Sequence, residues 1–247
     1  MGAAAGFLSG MFGVGGGILI VPALVLALKI DQRRAHGTSL AAVLPIAGSS
    51  LITYVVHDSV DWPVALFLAI GAVAGALLGT KLLSILPHRI LAYAFAGLMA
   101  VSAIRLFIET DAGGRGTLDG AMASALVAIG FTVGVLAGLL GVGGGVFMVP
   151  VMILAYSISP KVAKGTSLAV IIPTAIVGTW RNRKKRNADL PMAAVLGLSG
   201  IVSAALGGIL ADVMSDALSN VLFAVLLMTL ALRMIWDLRR KPTEPAH

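Results

Sequence analysis

The chain carries Gly6-Phe-Leu-Ser-Gly10-Met-Phe-Gly13-Val-Gly15-Gly16-Gly17-Ile-Leu-Ile-Val21-Pro22, and 128 residues later it carries Gly134-Val-Leu-Ala-Gly138-Leu-Leu-Gly141-Val-Gly143-Gly144-Gly145-Val-Phe-Met-Val149-Pro150. Every glycine coincides, and so do the closing Val-Pro pairs. The register holds further on. Gly37-Thr38-Ser39-Leu40-Ala41 falls on Gly165-Thr166-Ser167-Leu168-Ala169, Asp61-x-Pro63 on Asp189-x-Pro191, and Arg105 on Arg233. A single offset kept across the chain means a duplicated module. Successive glycines are where a helix most readily breaks, so each copy is expected to contain an interrupted helix.

The composition says what surrounds that module. Of 247 residues, 58% are hydrophobic and 12% charged, about half the charge of a soluble protein. Eight hydrophobic segments nearly fill the chain, leaving no room for a soluble domain. The fold class is therefore an all-α membrane protein: two homologous helical modules with about seven to eight transmembrane segments, broken or re-entrant at the glycine motifs. The expected divisions are a first repeat at 1–110, a linker at 111–119, a second repeat at 120–240 and a polar tail at 241–247. Met1 opens into Gly-Ala-Ala-Ala with no basic n-region, so no removable signal peptide is expected. Only 12 residues precede Gly13, too few for a full first crossing in that copy.

The 41 uncharged residues from Gly120 to Pro160 would make a helix about 62 Å long, twice the bilayer. Divided at Gly141–Gly145, they leave a limb long enough to cross and a 15-residue limb that is too short. The next run, Gly165–Trp180, has 16 residues, and the two short limbs are expected to pair as a re-entrant hairpin. Three crossings plus a hairpin per copy make the repeats inverted, whereas four crossings make them parallel. Under inversion 11 of the 18 Lys and Arg residues fall inside, Arg105 and Arg115 fall outside, and Lys29, Arg33, Arg34, Lys161 and Lys164 lie near hairpin tips. The parallel arrangement divides them 11 against 7. Cytoplasmic loops collect Lys and Arg, so inversion is favoured, with the Arg181–Arg186 cluster and the C-terminus cytoplasmic.

The doubled GxGGGxxxVP followed by GTSLA resembles the sulfite exporter TauE/SafE family, also named after toluene-sulfonate uptake, over essentially the whole chain. The resemblance implies secondary transport of small sulfur-containing or organic anions, such as sulfite, sulfoacetate and other sulfonates, across the bacterial inner membrane. It implies no prosthetic group.

The residues fit such a task. Backbone N–H groups at the start of a broken helix favour negative charge, and repeat transporters place such ends near the bilayer midplane. Thr38 and Ser39, with Thr166 and Ser167, are expected to open the second hairpin limbs and offer hydroxyls to an anion. One anion is expected between the two segments. The alternative is that these hydroxyls cap their own helices. Gly15, Gly16 and Gly17, with Gly143, Gly144 and Gly145, are candidates to expose backbone donors, or else to pack helices closely. His36 and Lys164 stand directly before the GTS motifs as candidate fixed cations. Asp61 and Asp189, each two residues before proline, read as N-caps.

Other chemistries find no support. The chain has no cysteine, and its four histidines form no HxxxH pair. The glycine run fails GxGxxG at Ile18 and Val146, and no Walker A lysine follows it. Catalytic, cofactor and metal sites are therefore expected to be none, and an enzyme is not expected. The expected partners are a small anionic substrate, the lipid bilayer and, as an open alternative, a second copy of the chain; no nucleic-acid partner is expected. An anion channel or a non-transporting assembly partner is the competing reading.

Overall fold

The computed structural model describes residues 1–82, 96–97, 99–101, 103–104, 118–140 and 143–240. Gly141, Arg105, Arg115, residues 111–117 of the expected linker and the 241–247 tail lie outside these residues. The helices with described bounds are α1 Gly2–Phe12, α2 Gly17–Leu26, α3 Gln32–Val56, α4 Trp62–Leu82, α5 Gly120–Leu140, α6 Gly145–Tyr156, α7 Pro160–Lys184, α8 Leu190–Val213 and α9 Asp216–Arg240. The protein is all-α.

Local chemistry sets the helix ends. Asp31 caps α3 by accepting from Arg33 N at 3.0 Å. Ser159 caps α7 by accepting from Val162 N at 3.4 Å, with Pro160 in the first turn. Asp61 and Asp189 cap α4 and α8 through bonds from Val64 N and Met192 N, both 3.2 Å. Each cap satisfies a backbone donor that a helix start leaves unpaired.

These caps correct the expected hairpin. With starts at Asp31 and Ser159, α3 and α7 are each 25 residues long, about 37 Å. Gly37–Ser39 and Gly165–Ser167 lie in their second turns and do not open short limbs. Counting only uncharged residues cut off the helix starts, where Arg33, Arg34, Lys161 and Lys164 are helical. The fold-back lies at the glycines instead. α1 ends at Gly13 in the left-handed conformation, φ 68°, and the chain turns until Gly16 lies against Ala5. In the second copy Gly144 lies against Ala137 and Val133, the same positions moved by 128. The re-entrant limbs are α2 and α6, of 10 and 12 residues, about 15 and 18 Å long and too short to cross.

Packing fixes the direction of six of these helices. On α8, Gly2 of α1 meets Leu196 and Gly10 meets Ala204, while Pro45 of α3 meets Gly197 and Thr53 meets Gly208. Leu68, Ala72 and Ala76 of α4 meet Gly130, Gly134 and Gly138 of α5 in the same order. By contrast, Leu40 of α3 meets Gly178 of α7 and Tyr54 meets Gly165, so these repeat partners run antiparallel. Thus α1, α3 and α8 point one way, and α4, α5 and α7 the other. Each runs opposite to its own repeat partner, which is the geometry of an inverted pair. The copies also interlock, since α1 lies on α8 and α4 on α5.

Which residues face outward shows the surroundings. On α8, Gly197, Gly200, Ala204, Gly207 and Ala211 are buried, while Val195, Leu198, Val202, Leu206 and Val213 are exposed. Small residues inside and large aliphatics outside is the pattern of helices packed in lipid. Four helices among the described residues are long and apolar enough to cross a membrane: Arg33–Val56, Gly120–Gly138, Pro160–Lys184 and Leu190–Val213.

Two ends of the molecule follow. The starts of α3 and α8 and the ends of α4 and α7 share one face, joined by the Arg34–Asp189 ion pair at 2.8 Å. This arginine end also carries Arg33, Arg181, Arg183, Lys184, Lys185 and Arg186. The aspartate end holds Asp58, Asp61, Asp119 and Asp212. There Asp212 pairs with Lys161 and, at 3.0 Å, with His57.

Candidate functional site

The centre is built from the glycine turns. Gly15, Gly16, Gly143 and Gly144 have φ between 72° and 82°, a region that disfavours side chains. The half-helices α2 and α6 begin immediately after them, each with its first intrahelical bonds going to Gly16 O or Gly144 O. The N–H groups of Gly17 and Ile18, and of Gly145 and Val146, precede those bonds. A Cβ at Gly145 would stand 2.8 Å from Gly13 O and 3.1 Å from Val14 Cα, so the two turns back onto one another. Val43 and Ile171, themselves repeat partners halfway along α3 and α7, pack against both Gly15 and Gly143. The two half-helix starts therefore converge where the inverted copies cross.

The GTS residues are not gathered around one point. Thr38 Oγ1 accepts from Asp189 N at 3.0 Å, and Thr166 Oγ1 accepts from Asp61 N at 2.9 Å. Each threonine thus holds the first turn of a helix from the other copy, a role that neither expected reading contained. Thr38 lies toward the arginine end and Thr166 toward the aspartate end, so one anion does not sit between them. Ser167 Oγ is directed at Gly13 O and at Lys164 O, the latter at 3.0 Å. Its counterpart Ser39 is fully buried, and its Oγ has no hydrogen-bond partner among the described residues.

His36 and Lys164 are likewise kept apart. His36 is half-buried in the second turn of α3. Lys164 is 2% exposed, and its Nζ donates to Ser219 Oγ of α9 at 2.6 Å. The ammonium also lies 5.8 and 5.3 Å from the ring centroids of Phe12 and Phe223, which stack 5.6 Å apart. Aromatic faces attract a cation, and this cage was not readable from spacing, since its parts come from α1, α7 and α9.

One cleft reaches the centre from the arginine end. Leu40, Gly138, Gly143, Thr174, Gly178, Arg181 and Asn182 line it. Its volume of about 10 Å³ is room for about one water. The corresponding positions in the other copy are Gly10, Gly15, Ile46, Ser50, Thr53 and Tyr54, and there Tyr54 and Ser50 bond across to α1. Tyr54 OH donates to Gly10 O at 2.9 Å, and Ser50 Oγ donates to Ile46 O at 3.1 Å and to Ser9 Oγ at 3.5 Å. Asn182, in the place of Tyr54, instead donates to Gly178 O of its own helix at 2.9 Å. Among the described residues no group of acidic, histidine or cysteine side chains could hold a metal ion.

Inverted pairs of broken-helix repeats recur among membrane transporters, and the family match points the same way. Residues 1–106 and 126–247 match the family described as Sulfite exporter TauE/SafE. The chain belongs to this family. It is 30% identical over 203 residues to the probable membrane transporter protein YunE of Bacillus subtilis (strain 168), covering 72% of this chain and 74% of that protein. The probable membrane transporter protein YdhB of the same organism is 29% identical, over 70% of this chain and 72% of its own length. A probable membrane transporter protein of Haemophilus influenzae is 30% identical, over 68% and 65%. No solved structure matches the chain significantly. Membership of the family makes this chain a multi-pass membrane transporter.

Proposed function

We propose that the protein is a secondary transporter of small sulfur-containing or organic anions, sulfite or a sulfonate among them, working by alternating access across the bacterial inner membrane. The observation that carries this reading is the convergence of two half-helix starts at the crossing of the inverted copies. Half-helix N-termini attract anions through their dipoles and free N–H groups. In this reading the anion enters between Thr174 and Arg181, meets the α6 start at Gly143–Gly145, and draws on the buried Ser39 hydroxyl. Gly15–Gly17 take the matching role when the other side opens. Lys164 and His36 act from opposite sides, each supplying positive potential from within its own copy.

The cleft's asymmetry supports alternating access. An inverted repeat has two opposite clefts related by the same axis, and opening one while closing the other moves the site from one face to the other. Here a cleft lies at the arginine end, while at its counterpart Tyr54 and Ser50 tie α3 to α1. The arginine end is cytoplasmic in this reading, because Lys and Arg collect there, and the C-terminus lies on the same side.

The test is counterflow in proteoliposomes, comparing sulfite, sulfoacetate, a larger sulfonate, sulfate and a carboxylate. Saturable exchange of a sulfur oxyanion is expected. Flux that neither saturates nor accelerates with substrate on the far side would replace the carrier with a channel.

A further inference from the structure

The arginine end has a second feature, which shares only Arg181 with the transport reading. Between α4 and α7 lies an open groove of about 460 Å³, lined by Leu77, Leu78, Trp180, Arg181, Lys184 and Lys185. Its floor is apolar, and its rim carries three cations. Lys184 Nζ lies 3.9 Å from the Trp180 ring centroid, and Arg181 is fixed by donating to Leu77 O. Trp180 is 56% exposed and Leu78 44%, so the groove faces outward, away from the transport cleft.

We propose that this groove binds an anionic phospholipid, with its phosphate against Lys184 and Lys185, its glycerol beside Trp180 and an acyl chain along Leu77 and Leu78. Three facts select this ligand. Basic pockets between membrane helices attract anionic headgroups, and an exposed tryptophan beside them suits the water–hydrocarbon boundary. A soluble anion would use the cations but not the leucine floor. The groove is also peculiar to one copy: the counterparts of Trp180, Arg181, Lys184 and Lys185 are Ile52, Thr53, Val56 and His57, so the other end offers no such rim. Arg181 lines both the groove and the transport cleft, so a bound headgroup lies one side chain away from the cleft mouth.

The test uses full-length protein with Trp62 and Trp236 replaced by phenylalanine, reconstituted in phosphatidylcholine nanodiscs. Trp180 fluorescence is then titrated with brominated phosphatidylglycerol or brominated phosphatidylcholine. Quenching by the anionic lipid is expected at much the lower mole fraction. In Lys184→Gln/Lys185→Gln the preference falls roughly 25-fold, about five-fold for each cation lost. Arg183→Gln/Arg186→Gln removes as much charge outside the groove and leaves the preference largely intact. Equal quenching by both lipids in the parent protein would overturn the proposal, as would equal losses in the two double variants. Displacement by millimolar glycerol 3-phosphate would assign the rim to a soluble anion instead. The readout needs no transport, so it stands or falls separately from the carrier reading.

Discussion

The two copies share a sequence motif and a backbone path, yet they differ at the side chains that decide access. At equivalent places on α3 and α7, Tyr54 reaches across to α1 and Asn182 turns back on its own helix. Ser167 is bonded to the neighbouring glycine turn and Ser39 has no partner among the described residues. Lys164 is caged by two aromatic rings, and its counterpart is a histidine. The shared part, made of glycine turns, caps and close helix contacts, builds the scaffold. The unshared part breaks the two-fold symmetry, tying α3 to α1 on one side and leaving a cleft on the other.

The largest effect should come from the shared part. A side chain at Gly10 would collide with the Ala204 carbonyl oxygen, whereas nothing lies within 4 Å of a Cβ at Gly48. Gly10→Leu should abolish the monodisperse folded protein in size-exclusion chromatography, since backbone contact leaves overpacking no relief, and Gly48→Leu should leave the yield unchanged. Equal yields would break the claim that α1 and α8 meet through glycine.

The unshared lysine comes next. Lys164→Ala leaves Ser219 without its donor and a hole beside the stacked Phe12 and Phe223, and should lower stability by about 2–4 kcal/mol. The half-buried His36→Ala should cost less than about 1 kcal/mol. Thermal unfolding in detergent compares the two.

The threonines sharpen the comparison by their likeness. Thr38→Val and Thr166→Val each strand a backbone N–H at the first turn of a helix from the other copy. Each should cost about 1–2 kcal/mol, in nearly equal amounts. A loss of transport with no loss of stability would return them to direct contact with the anion. The smallest effect belongs to the Arg34–Asp189 pair at the surface, where Arg34→Ala should shift stability by less than about 1 kcal/mol.

Much of this architecture was legible in the sequence. The 128-residue offset exposed the duplication, the glycine runs marked the breaks, and Asp-x-Pro marked the caps of α4 and α8. The helix starts at Asp31 and Ser159 were missed because a charge was taken as the end of a membrane segment, whereas a buried lysine with aromatic and hydroxyl partners continues one. The threonine bonds were illegible for another reason: each joins residues more than 100 positions apart, and only the antiparallel crossing of α3 and α7 brings them together. The cleft depended on two differences, Tyr54 against Asn182 and Ser50 against Gly178, whose meaning appears only once they are packed.

Because the chain has no cysteine, single introduced thiols report cleanly on access. The most direct test places cysteine at Val177, in the arginine-end cleft, and separately at its counterpart Ser49, and measures labelling by membrane-impermeant maleimide from each face. Alternating access predicts that Val177→Cys reacts only from the arginine end and is slowed by a transported anion, while Ser49→Cys becomes reactive from the opposite face under the same conditions. Reaction of both positions from both faces at once, unaffected by any anion, would contradict it.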